Sequence, residues 1–346
     1  MFKVFFLLIY AIVILLGSIR WNVGTDWGYY YNSYNAMDTY RDFTSFRSFE
    51  LGYKSLMYSA KSVVNNYSFF LYISSLMVIT GKFLTIYLFS PKILFSLLIY
   101  LSCYIFDIFL VRQSFALTII FLGMYICVSR KNNSISRGAF ALIFLFTAAL
   151  FHKTAIVFAV AYFFRDKKRF LMLISVLVVA TIFCMVNRNL IFSSIAESTY
   201  ASGQIKEQTS KYLNYNIDSD ENKVQTSSFR FIFKIIDRMV IFLYLMYYYS
   251  ACNKRFIGFN YMYYSYIFGT VLSIILSNPG AIVFSRITHY FTMFQIILVP
   301  QALSVVDNKQ IRLLQTTFFI VYFCIKFYLL IYGYYNLYVP FTNILY

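Results

Sequence analysis

FKVFFLLIYAIVILLGSI, residues 2–19, runs straight into Arg20-Trp21-Asn22-Val23-Gly24-Thr25-Asp26 and on to Tyr29-Tyr30-Tyr31. About eighteen almost wholly apolar residues suit a first membrane helix, and an arginine and a carboxylate then appear where it should surface. Polar chemistry therefore begins at a membrane edge. If later segments bring further arginines and a histidine to that edge, the protein has a site there rather than a set of loops.

Working outward, apolar runs of similar length recur as far as Tyr332, in a chain that is 60% hydrophobic and 12% charged. This composition marks an all-α polytopic membrane protein, one integral domain over residues 1–346. The net charge of +17 would point to nucleic acid in a soluble protein. Here the basic residues are scattered between apolar runs, where membrane orientation accounts for them, so no nucleic-acid partner is expected. Cys103, Cys127, Cys184, Cys252 and Cys324 all fall inside apolar runs without ligand spacing, which argues against a disulfide framework or a zinc site. Gly17-Ser18-Ile19-Arg20 is a poor cleavage site, so residues 2–19 read as a retained span rather than a secretory signal.

About 11 transmembrane helices are expected, with two large external segments. The first segment, residues 20–68, contains Glu50-Leu51-Gly52-Tyr53, and its part from Lys54 to Val64 has the spacing of an interfacial helix. Spans two, three and four are placed at Phe69–Phe89, Ile93–Leu110 and Phe115–Val128, with Arg112-Gln113 interrupting the apolar run. Between Ala139 and Phe164 a single helix would put two basic clusters on opposite faces, so a hairpin with His152 at its tip is preferred. Its apolar arms reach only about 15–20 Å against a core of about 30 Å, which would recess the histidine in a cavity. Span seven is Phe170–Val186. The second external segment, 187–228, reads as a partly helical lid. Spans eight and nine follow at Phe231–Tyr249 and Tyr261–Leu276, span ten ends near Val306, and span eleven is Leu313–Tyr332. A cytoplasmic amino terminus puts Lys92, Arg130–Arg137, Arg165–Arg169, Lys254-Arg255 and Lys309–Arg312 all inside, as the positive-inside bias requires. No internal repeat supports an inverted-repeat transporter.

That topology places Arg20, Asp26, Glu50, Arg112, His152, Lys153, Asp237, Arg238 and Arg286 on or just beneath the opposite face. Ionisable groups at membrane depth are costly and tend to line cavities or pair with one another. Arginines from several helix ends would suit a diphosphate, since guanidinium binds phosphate oxygens in bidentate fashion. His152, Asp26 or Glu50 would supply a general base. The bland alternatives are specific too. Arg20 can snorkel to headgroups, and His152 with Lys153 can be an ordinary loop tip. Asp237 and Arg238, as neighbours, point to different helix faces, with Asp237–Lys234 as a structural pair. Asp26 and Glu50 can be helix caps. The tyrosines suit sugar stacking or an interfacial belt.

With these residues in place the chain resembles the EpsG family of polysaccharide polymerases, a branch of the Wzy-type O-antigen and capsule polymerases. The resemblance rests on Arg20 to Asp26 with the following tyrosines, Glu50 with Gly52-Tyr53, Arg112-Gln113, Phe151-His152-Lys153, and Arg286 with Tyr290-Phe291. It implies a GT-C-like glycosyltransferase of a bacterial inner membrane, active at the periplasmic face. Such an enzyme takes a glycan from undecaprenyl diphosphate to a lipid-linked acceptor repeat unit. Arg20, Arg112, Gln113, Arg238, Arg286, Tyr290 and Lys153 are then candidates for binding substrate and diphosphate, and His152, Asp26 and Glu50 for catalysis. Neither metal nor other cofactor is implied; partners are membrane lipids, the lipid-linked glycans, and a chain-length regulator and flippase. Rival readings are a lipid-linked-glycan flippase, a membrane acyltransferase using His152, and an O-antigen ligase sharing most of the chemistry. A flippase should carry charge through the depth of the bundle, whereas spans two, seven and eleven are nearly bare.

Overall fold

The computed structural model of the chain describes residues 2–23, 27–45, 49–105, 109, 111–129, 134–165, 167–186, 235–275, 282–333 and 342–343. Asp26, Lys234 and the expected lid at 187–228 lie outside these. Among the described residues every regular element is helical, apart from one isolated bridge between Arg20 and Asn343. The helices are α1 (Phe2–Ile19), α2 (Trp27–Asn35), α3 (Tyr40–Ser45), α4 (Leu51–Val63), α5 (Tyr67–Phe89), α6 (Ile93–Tyr104), α7 (Val111–Ser129) and α8 (Ser134–Phe151). A 3-10 helix, Lys153–Arg165, precedes α9 (Lys167–Val186). Then come α10 (Ile235–Tyr247), α11 (Tyr249–Arg255), α12 (Phe259–Ile275), α13 (Ile282–Thr292), α14 (Gln295–Ser304) and α15 (Lys309–Gly333).

Two of these, α5 and Lys309–Tyr332 of α15, are long and apolar enough to cross a membrane, or three if α10 and α11 form one broken span. Four more, within α1, α6, α7 and α8, are apolar but shorter. The helix boundaries follow local chemistry. Asn66 opens α5 by accepting from the Ser68 N–H at 2.8 Å, and Ser90, held extended before Pro91, ends it. Asn308 caps α15 in the same way, taking the N–H groups of Gln310 and Ile311 at 2.9 and 3.2 Å. Lys82, a charge inside α5, is buried with its ammonium 5.5 Å from the Tyr100 ring centroid, so span two is less bare than its hydropathy implies.

The chain divides into two compact units. The first holds 1–159, 248–259 and 293–346; the second holds 160–247 and 260–292. In the first, Phe6 packs on Phe83 and Tyr87, and Tyr10 bonds Thr80 at 2.7 Å, so α1 and α5 run antiparallel. Thr118 donates to Val78 and Phe89 packs on Tyr125, so α5 and α7 run parallel. Phe115 stacks on Phe151 while Gly123 lies against Phe144, so α7 and α8 run antiparallel. These three pairings bring the end of α1, the starts of α5 and α7 and the end of α8 to one end of the first unit. Arg20, Arg112 and His152 therefore share that end, as the sequence reading requires.

The segment at this end is folded, not a loose connection. Thr39 and Asp42 exchange N–H bonds in a capping box at the start of α3 (2.8 and 3.2 Å). Lys54 donates to the Phe43 carbonyl at the end of α3, and Lys61 to those of Tyr34 and Asn35 at the end of α2. Both lysines thus act as C-terminal caps, where cations are favoured. The end of the chain returns here as well: Trp21 N–H donates to the Thr342 carbonyl at 3.0 Å, and the Thr342 hydroxyl donates to the Trp21 carbonyl.

Candidate functional site

Glu50 stands at the N-cap of α4, yet its side chain makes no capping bond. The carboxylate instead turns between α7 and α8. Oε2 accepts from Arg112 Nη1 at 3.0 Å, and Oε1 accepts from the Lys153 backbone N–H at 3.2 Å. His152 Nδ1 lies 3.4 Å from the same Oε1, an ion-pair distance with the hydrogen bond itself not closed. The Arg112 Nε donates to the Tyr30 hydroxyl at 3.0 Å, while its guanidinium lies 4.9 Å from the Phe49 ring centroid and 5.6 Å from that of Tyr30. Tyr30 and Phe49 stack on each other with centroids 5.5 Å apart. The carboxylate side chain is 9% exposed, the guanidinium side chain 24% and the imidazole side chain 18%, so the cluster is enclosed but reachable from the His152 and Arg112 sides.

Helix packing makes this possible. A Cβ on Gly52 would stand 2.9 Å from the Leu150 carbonyl oxygen, so only glycine lets the first turn of α4 approach the last turn of α8 this closely. One residue later, Tyr53 is fully buried and packs on Tyr30, Phe49, Phe70 and Phe115. His152 follows α8 directly, its N–H donating to the Ala148 carbonyl at 2.9 Å, where a positive charge is favoured. The helical break expected at His152 is present, with α8 before it and the 3-10 helix after it.

Burial by itself would push the Glu50 carboxyl up. The His152 imidazole, the backbone N–H groups of Glu50 and Lys153 and the Arg112 charge outweigh it and hold the group down at about 2. Glu50 is therefore a carboxylate throughout any working pH range. A group so reluctant to take a proton makes a poor base and a good anchor.

Other candidates fall as follows. Gln113 is buried on α7 next to Arg112. Lys153 is exposed and enters the cluster through its backbone N–H rather than its ammonium. Arg20 is 3% exposed and its guanidinium lies 5.5 Å from the Phe109 ring centroid, so it is folded inward rather than stretched towards headgroups. Arg238 belongs to the second unit with Arg286 and Tyr290. Its Nε lies 3.9 Å from Asp237 Oδ2, a contact that the long flexible stem allows although the two neighbours leave the helix on different faces. Tyr290 is fully buried on α13. Arg286 is also on α13, but its side chain, like Asp26, lies outside the described residues. Among those residues no group of three or more His, Cys, Asp or Glu could hold a metal ion.

The association of Arg112, Glu50 and His152 joins three sequence features spread over residues 50 to 152, on α7, before α4 and after α8. The family model of the EpsG family matches residues 3–343. The chain belongs to the EpsG family. No curated protein and no solved structure matches it. An EpsG-family chain with several apolar helices is a membrane protein of polysaccharide biosynthesis, of the glycosyltransferase-like polymerase type. The residues carrying the resemblance in this EpsG-family member are in large part those that the first unit gathers. What sequence reasoning missed is the aromatic housing of Arg112. Tyr29–Tyr31 and Phe49 were visible signals, but an interfacial belt and a stack on one guanidinium look alike in a sequence.

Proposed function

We propose that this EpsG-family protein polymerises polysaccharide repeat units, transferring a glycan from undecaprenyl diphosphate to the non-reducing end of a lipid-linked acceptor. The observation that carries the reading is the single carboxylate, Glu50, holding Arg112 by one oxygen and facing His152 with the other. In this reading Nδ1 of His152 carries its proton towards Glu50, which leaves Nε2 as the base. Nε2 takes the proton of the acceptor hydroxyl, and that oxygen forms the new bond to the anomeric carbon. The bond from that carbon to the diphosphate breaks, and its electron pair goes to the leaving phosphate oxygen, where Arg112 stabilises the developing charge. Glu50 does not titrate in this cycle. It orients the imidazole and fixes the guanidinium.

The cluster lies at the periplasmic face of a bacterial inner membrane, with the amino terminus cytoplasmic and about eleven spans in a GT-C-like bundle. A flippase and a chain-length regulator act before and after it. The test is a deletion strain scored by glycan gel. Loss of the ladder with a single-repeat band retained, and its return with the wild-type gene but not with His152→Ala, is the expected result. Loss of every band would instead mean a flippase or an earlier step, and a ladder that persists in the deletion strain would remove the reading.

A further inference from the structure

Behind Arg112 the aromatic cluster has a feature that packing does not explain. Trp27, Tyr53 and Tyr67 are buried, and among the described residues the indole N–H and the two hydroxyls have no hydrogen-bond partner. Burying a polar group without a partner is costly, and phenylalanine at each position would avoid it. The three rings belong to one contact network. Trp27 meets Tyr67 edge-on at 5.8 Å, Tyr53 and Tyr67 both pack on Phe70 at 5.8 and 5.9 Å, and Tyr53 packs on Tyr30 at 5.6 Å. Tyr30 is the residue whose hydroxyl accepts from Arg112 Nε. Arg20 is within electrostatic reach of both the Tyr53 and Tyr67 hydroxyls, and Arg112 of the former. Burial raises the Tyr53 phenol well above its ordinary value, so the group stays protonated and able to donate. Glu50 is committed to Arg112 and to the Lys153 backbone N–H.

We infer that Trp27, Tyr53 and Tyr67, together with Arg20, form an enclosed anion site that takes the second phosphoryl group of a diphosphate whose first is held by Arg112. The inference rests on the reading given under Proposed function. Three donors beside two guanidinium groups call for a ligand with several acceptor oxygens and negative charge, which describes a phosphate. The donors are closed off from solvent, so binding displaces the rings of α2.

The chain has two tryptophans, Trp21 and Trp27, with ring centroids 4.9 Å apart, so intrinsic tryptophan emission reports on this cluster alone. The purified full-length protein in detergent is titrated with inorganic pyrophosphate and, separately, with farnesyl diphosphate, with sodium chloride at matched ionic strength as the control. A saturable emission change absent from the chloride control is expected, with Kd raised about tenfold in Tyr53→Phe and in Tyr67→Phe. These variants keep the rings and lose only the hydroxyls, and circular dichroism checks that they fold. Wild-type affinity in both variants, or no change with either diphosphate, overturns the inference. Tighter binding of the farnesyl ester assigns the lipid carrier as the source of the anion; equal affinity assigns free pyrophosphate. If the variants lose binding while the ladder persists in the deletion strain, the polymerase reading fails and the anion site stands. If they bind normally while His152→Ala abolishes the ladder, the site fails and the reading stands.

Discussion

Helix α4 carries an ion pair at each end, Glu50–Arg112 at 3.0 Å and Lys61–Asp38 at 2.7 Å. By length alone the second is the better one. Yet the Lys61 ammonium is spent on structure, with its three N–H groups going to the Tyr34 carbonyl, the Asn35 carbonyl and Asp38, whose side chain is 70% exposed. At the other end the carboxylate is 9% exposed and faces an imidazole whose second nitrogen is left for other use. The difference teaches that an ion pair's length says little about its role. Enclosure and what its partners can still do say more.

The comparison is broken most decisively by removing the imidazole. His152→Gln is expected to lower the polymerisation rate by about 10²–10⁴-fold, measured on membranes with a defined lipid-linked repeat unit. Lys61→Met should stay within about twofold of wild type in the same assay. A large loss in Lys61→Met, or none in His152→Gln, would abolish the distinction between the ends. Next in size is Arg112→Lys, expected to lose about 10²-fold, because an ammonium cannot hold Tyr30, Glu50 and a phosphate in one plane. Lys61→Arg, by contrast, should leave the rate nearly unchanged, since point-like capping of carbonyls is what either cation can do.

Acid sharpens the contrast further. The Glu50 carboxyl is lowered in the folded protein from 4.5 to about 2, so the stability it contributes is fully present above the unfolded value and is lost as pH falls through the folded one. Tryptophan emission from the α2 cluster should therefore hold steady down to about pH 4.5 and change between there and about 2. In Glu50→Gln that transition should vanish. The smallest effect belongs to the exposed partner: Asp38→Asn should cost at most about 1 kcal/mol of stability in thermal unfolding, with no change in rate.

Hydropathy alone placed the helices well. The expected Phe69–Phe89 is seen as Tyr67–Phe89, Phe115–Val128 as Val111–Ser129, and Leu313–Tyr332 as Lys309–Gly333. It did not foresee that Ile93–Leu110 would end as a helix at Tyr104, or that α13 and α14 would be separate pieces. For the site, Arg112, Glu50 and His152 were legible as candidates because charge inside or beside an apolar run is conspicuous. Their roles were not. Three groups stood open as the base, and the meeting of Glu50 with Arg112 and the Lys153 N–H, which supports the anchoring role proposed for it, is not visible in the sequence. Arg20 could have snorkelled or turned inward, and only its burial shows which.

What the sequence by itself determined is the alternation of apolar runs and polar breaks, and with it the candidates that gather at one end of the first unit. Solvation sets that pattern residue by residue along the chain, so it can be read without knowing what touches what. Which oxygen meets which cation was decided only in three dimensions. It depends on how closely two helices approach, and that distance turns on features as small as the missing side chain of Gly52 against the Leu150 carbonyl.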